Sequence, residues 1–215
     1  MKDSIPIVKS ALAELVGTFF LTLAALISGT PYVVGVTLGV FVYAIGAISG
    51  CNLNPAVSLG LLVTRRLPVL TGLLYIVVQI AGAGLALLAA MFTGHLASHY
   101  AAANPIAEFL GFGVLMLTVV AVSEKNVPQA GSGIAIGGAL AAGLVMSRGI
   151  LNPAVAIAMG QALSPATWAT LLSGICFCLL YKLYEVKQKP TEKKDLVQSQ
   201  QDVPFERMTS VPRAK

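Results

Sequence analysis

The chain has 215 residues, of which 56% are hydrophobic and only 11% charged, with a formal net charge of +5 and a mean hydropathy of +0.82. A soluble domain carries about 25% charged residues, so this composition excludes a water-soluble globule, which would have no polar surface to show to solvent. The basic excess does not point to nucleic acid either, because the Lys and Arg residues stand at the ends of apolar runs rather than in one patch.

In chain order, residues 1–9 with Lys2 and Lys9 form an N-terminal segment ahead of an apolar run near 10–28. Glu14 interrupts that run and no cleavage site follows, so it reads as a retained spanning helix rather than a secretory leader. A second run covers 32–48. The word LNPAV (Leu53 to Val57) comes next, with a short apolar stretch at 56–63, then Arg65, Arg66 and a third long run at 68–92. The connection 94–104 has no Lys or Arg; His95 and His99 within it have a metal-pair spacing but lack a third ligand, and no metal or cofactor is expected. Runs near 105–122 and 130–147 flank Lys125. Arg148, a second LNPAV (Leu151 to Val155), a short stretch at 154–163 and a sixth run at 165–184 complete the apolar part.

Six runs of spanning length predict six transmembrane helices, and the Lys/Arg distribution puts both termini on the cytoplasmic side of a plasma or inner membrane, with Arg148 alone on the far side. Residues 185–215 turn polar and charged, as expected of a disordered cytoplasmic tail. Cys51, Cys176 and Cys178 make no disulfide framework.

The duplicated word belongs to a longer repeat. Gly35 and Gly39 return 98 residues later as Gly133 and Gly137, Ser49 as Ser147, and Asn54 as Asn152; Ala13-Glu14-Leu15-Val16-Gly17 returns as Ala107-Glu108-Phe109-Leu110-Gly111. The domains expected are therefore a first repeat over 10–93 and a second over 105–184, joined by the extracytoplasmic loop 94–104. Three helices per copy is an odd number, so the second copy is inverted relative to the first. Asn is a favoured helix N-cap and Pro a favoured first helical residue, which makes each LNPAV a helix start. About ten residues at 1.5 Å each give roughly 15 Å, half of a bilayer core of about 30 Å. The fold expected is all-α, with six transmembrane helices and two half-helices meeting near the midplane. Irregular backbone at that depth needs protein burial or a wet cavity around it, so the motif implies a pore or a central site.

With AELVGTFF, AEFLG, SGCNLNPAVS, Gln79 and the second NPA in place over about residues 8–184, the chain resembles the major intrinsic protein family of aquaporins and glycerol facilitators. The resemblance implies a homotetramer in the lipid bilayer, passing water or small neutral solutes. It implies that Asn54, Pro55, Ala56, Asn152, Pro153 and Ala154 form the pore centre, and that Glu14 and Glu108 support the pore loops. It places the outer selectivity filter at Val34, Leu140, Gly149 and Val155, where typical members have an aromatic residue and an arginine. Such a ring is expected to be wide and to donate no hydrogen bond. Arg148 is a candidate substitute cation at the pore mouth. Cys51 and Asn52 are expected in the inner vestibule, with Cys51 the most reactive thiol because the half-helix start favours a thiolate.

Inverted repeats and half-helix termini also build coupled transporters, and a membrane packing protein with a vestigial pore is a third class. A coupled transporter usually has a titratable group at the midplane, whereas the two motifs supply amides. Motifs for nucleotide binding, nucleophilic hydrolysis or zinc proteolysis do not occur, so an enzyme is not expected.

Overall fold

Residues 5–94 and 104–184 are described by a computed structural model, and the described part is helical throughout. The long helices are α1 (Ile7–Ser28), α2 (Pro31–Ser49), α4 (Val69–Thr93), α5 (Pro105–Ser123), α6 (Gln129–Ser147) and α8 (Pro165–Tyr181); the short ones are α3 (Pro55–Val63) and α7 (Pro153–Ala158). Five of these are at least 18 residues long and apolar enough to cross a bilayer. The sixth, α8, has 17 residues and a 3₁₀ turn (Lys182–Tyr184) after it, so it ends sooner than the run to 184 suggests. At 1.5 Å per residue it still reaches about 25 Å, close to the hydrocarbon thickness. The tail from 185, both histidines and most of the 94–104 loop lie outside the described residues.

The packing obeys the inverted repeat. In the first half α1 lies against α2 and α4; in the second α5 lies against α6 and α8. Each half-helix then crosses over: α3 packs on α8 as well as α4, and α7 on α4 and α1 as well as α8. The halves are joined by α2 against α6, where Gly35, Gly39, Gly133 and Gly137 bring the two backbones into contact. Small residues are the usual means of close helix approach in lipid, since apolar attraction between helices is absent there.

The half-helices differ in length. α3 has nine residues and α7 only six, shorter than the stretch to 163 suggests. Gly160, at φ 72, turns the chain after α7, and the Gln161 N–H closes on the Ala156 carbonyl at 2.8 Å. α3 is closed the same way by the Arg66 N–H on Leu61, with Arg65 at φ 61. Arg66 Nε also pairs with Glu124 at 2.8 Å, tying the α3–α4 turn to the α5–α6 turn.

Candidate pore site

Each half-helix starts at its motif for local reasons. Asn54 caps α3 by accepting the Ala56 N–H at 2.9 Å, and Asn152 caps α7 by accepting the Ala154 N–H at 3.0 Å. Pro55 and Pro153 hold the first helical position, where a missing N–H leaves no helical bond unmade. Ala56 and Ala154 are fully buried at the crossings: the Ala56 carbonyl abuts Gly174 of α8, and Ala154 clusters with Ala83 of α4.

The two asparagines then cross between repeats. Asn54 Nδ2 donates to the Leu151 carbonyl at 2.8 Å, and Asn152 Nδ2 to the Leu53 carbonyl at 2.9 Å. A side-chain amide has two N–H donors, so each asparagine holds a second beyond the crossed bond. Both residues line a common cavity.

Leu53 and Leu151 stand in left-handed backbone, at φ 49 and 55, which a branched residue enters at a cost of roughly 1–2 kcal/mol. Two carboxyl groups hold those turns. Glu14 accepts the Asn52 N–H at 2.9 Å, the Leu53 N–H at 2.7 Å, the Ser49 hydroxyl at 2.7 Å and Gln79 Nε2 at 2.8 Å. Four donors on two oxygens match the full acceptor capacity of a carboxylate. Glu108 does the same for the second loop, accepting from the Ile150 N–H at 2.6 Å, the Leu151 N–H at 3.0 Å and the Thr170 hydroxyl at 3.2 Å.

Two cavities flank the crossed asparagines. The first, toward the α1–α2 connection, measures about 20 Å³ and is lined by Val34, Leu140 and Val155 together with Leu21, Leu144 and Ile150. The second, toward the α5–α6 connection, measures about 10 Å³ and is lined by Cys51, Asn52, Asn54, Val57, Leu115 and Ile136, among others. On this scale one water needs about 10–15 Å³. Three of the four residues of the expected filter, Val34, Leu140 and Val155, thus line one cavity. Side chains that counting from the motif did not reach line it as well: Leu21 of α1, Leu144 of α6 and Ile150 of the loop. Gly149 lines neither cavity; its N–H is held by Ser147 Oγ at 3.0 Å. Arg148 is exposed and also lines neither, because it ends α6 at φ 52 with its N–H on the Leu144 carbonyl. Its counterpart in the first repeat is Gly50, at φ 88, and both positions close a helix in left-handed backbone.

The two cavities are unequal in polarity. Asn52 is tied to Ser58 at 3.3 Å, and Ser58 to Gln79 at 3.0 Å, so the Glu14 network reaches the second cavity. The positions 98 residues on from Asn52 and Ser58 are Ile150 and Ala156, which are apolar. Ser49 and Ser58 were not singled out as loop supports from sequence; Ser49 recurs as Ser147 in the repeat, whereas Ser58 does not recur.

Cys51 lies in the wall of the second cavity, where it is only 4% exposed, and the Glu14 carboxyl holds the next two N–H groups. Cys176 is the exposed thiol, and Cys178 is buried 3.1 Å from the Thr64 hydroxyl. Cys176 is exposed on α8 within the span, where its surroundings are lipid rather than water, so exposure there does not favour the reactive thiolate. A small membrane-permeant thiol reagent is expected to slow flux through Cys51 in the cavity wall, while labelling of Cys176 is expected to have no effect on flux. Labelling by mass spectrometry alongside flux checks this: Cys51→Ser should remove the inhibition and Cys176→Ser should not.

The major intrinsic protein model matches residues 1–173 of the chain. Nodulin-26 of Glycine max is 31% identical over 180 residues, covering 70% of this chain and 66% of its own length. Aquaporin AqpM of Methanothermobacter thermautotrophicus is 28% identical over 220 residues, covering 80% of this chain and 86% of its own. Aquaporin Z of Rhodopseudomonas palustris reaches 46%, but over 87 residues, so the chain spans 36% of that relative. Among solved structures, the aquaglyceroporin of Plasmodium falciparum superposes with a TM-score of 0.62 over 81% of this chain and 95% of that one, at 19% identity, a likeness of fold. The family match takes in both half-helices and stops inside α8, the helix whose sequence carries the resemblance least. The chain belongs to the major intrinsic protein family, as an integral membrane channel for water or small solutes and not an enzyme.

Proposed function

We propose that the protein is a passive channel in which water and the smallest uncharged solutes cross in single file, while ions and protons are held back. The observation that carries this reading is the crossed asparagine pair, with one N–H of each amide left over at the cavity between the two half-helix starts. A molecule passing there accepts hydrogen bonds through its oxygen, so its own hydrogens turn away from the centre and a proton relay is interrupted. The positive end of α3 adds a field that disfavours cations. Cys51 is the one titratable side chain lining the two cavities, and Glu14 and Glu108 are occupied by the loops, which supports uncoupled passage. Cavities near the size of one water favour water over glycerol.

In this reading Asn54, Pro55, Ala56, Asn152, Pro153 and Ala154 are the pore centre, Glu14 and Glu108 its supports, and Cys51 and Asn52 the vestibule on the side of the termini. The assembly is a homotetramer in a plasma or inner membrane with both termini cytoplasmic. Stopped-flow light scattering on proteoliposomes is expected to show water permeability well above that of empty vesicles, with no ionic current in a planar bilayer. Solute accumulation driven by an imposed pH gradient would instead establish a coupled transporter.

A further inference from the structure

Thr18 and Thr22 of α1 are fully buried, and neither hydroxyl has a hydrogen-bond partner among the described residues. Threonine in a helix commonly meets this need on the carbonyl four residues before, as Thr37, Thr118 and Thr170 do at 2.8, 2.9 and 3.1 Å. Thr18 and Thr22 make no such bond, so both hydroxyls are left for a group outside α1. Neither residue lines the two pore cavities. We propose that the pair holds one water molecule behind α7, at a site outside the pore.

At about 3.6 residues per turn, the two threonines fall on α1 between two stripes. On one side are Leu21 and Ala25, which line the first cavity; on the other are Leu15 and Leu26, which meet Gly82 and Ala86 of α4. The short helix α7 packs on both α1 and α4, so it covers this flank. No side chain there can serve as partner, because α7 reads Pro-Ala-Val-Ala-Ile-Ala and Ala83, Ala86 and Leu87 of α4 are apolar. Buried hydroxyls in native proteins are satisfied by protein or by water, since an unpaired one carries its full desolvation cost. Residues four apart on a helix have Cβ atoms roughly 5–6 Å apart, and a water about 2.8 Å from each of two hydroxyls spans such a gap. The first cavity, on the adjoining stripe, gives the water a way in. The second repeat has no matching site. There the offset of 94 places Phe112 and Met116, both fully buried, with Met116 against Gly60 of α3. Apolar side chains therefore back α3, whereas a water-bridged pair backs α7.

The test is thermal unfolding of the full chain in detergent, with Thr18→Val, Thr22→Val and the double variant. Valine has nearly the shape of threonine and lacks the hydroxyl. Either single change strands the other hydroxyl, so each is expected to lower the melting temperature by about 2–4 °C. The double variant leaves nothing to strand and is expected to melt at or above both singles, since removing both partners of a buried contact is close to neutral. Single variants that melt at or above wild type would show that the hydroxyls hold nothing, and a double variant that melts below both singles would show that they share no partner. Either result overturns the site. A crystal structure of the wild type is expected to show a water within about 3.2 Å of both hydroxyls. Hydroxyls bonded to the Glu14 and Thr18 carbonyls in its place would overturn the proposal, and this measurement decides alone if a valine variant is not recovered.

Discussion

Glu14→Leu is expected to abolish recovery of folded protein, and Glu108→Leu to come close to doing so. The leucine fits the apolar surroundings but leaves the Asn52 and Leu53 N–H groups, the Ser49 hydroxyl and the Gln79 amide without their acceptor. A buried donor stripped of its partner costs about 1–3 kcal/mol, against a total stability of about 5–15 kcal/mol for a typical domain. The loss also releases Leu53 from its left-handed turn, and with it the carbonyl that holds Asn152. Glu14→Gln should be intermediate. Its carbonyl keeps two of the four bonds if it faces Leu53 and Gln79, and its NH₂ can donate to Ser49 by reversing that hydroxyl, so that the Asn52 N–H alone is stranded. Monodispersity on size exclusion and melting temperature in detergent should therefore rank wild type above Gln and Gln above Leu. Glu108 has three partners rather than four, so its Leu variant should keep more stability. A Glu14→Leu protein that melts like wild type would show that the loop does not depend on the carboxyl.

Two adjacent glycines in α6 are expected to behave in opposite ways. A Cβ added at Gly137 would lie 2.5 Å from the Gly35 carbonyl oxygen and 3.1 Å from the Gly39 backbone, and backbone cannot rotate aside as a side chain can. Gly137→Ala therefore has to push α2 and α6 apart, and its cost should reach or exceed the upper end of the usual overpacking range of about 1–3 kcal/mol. At Gly138 a Cβ meets nothing within 4 Å. Gly138→Ala should be neutral or gain up to about 0.5–1 kcal/mol through helix propensity. Thermal unfolding of the two single variants under one detergent condition decides the matter. Because α2 and α6 also supply Val34 and Leu140, the damaged variant is expected to lose flux along with stability.

Most of the architecture was legible in the sequence because the bilayer imposes it. Apolar runs of spanning length, a motif repeated 98 residues apart and an odd number of helices per copy lead to the inverted repeat without any tertiary information. The caps at Asn54 and Asn152 were equally local, since Asn-Pro satisfies and starts a helix wherever it stands. That Glu14 and Glu108 hold the loops was implied by the family resemblance rather than by their place in the repeat. What could not be counted along the chain was the bore. The family resemblance places Val34, Leu140 and Val155 beside the pore, but the same cavity is also lined by Leu21, Leu144 and Ile150, which come from a different helix, a different turn and the loop itself. Arg148, four residues before Asn152, looks available to the pore mouth on a linear count. In the structure its backbone closes α6 in left-handed conformation, and its side chain lines neither cavity. Helix starts and membrane spans are set by neighbours within a turn or by the solvent, so one strand of text contains them. A channel's width is the distance left between side chains of helices far apart in sequence, and only the packed structure determines that distance.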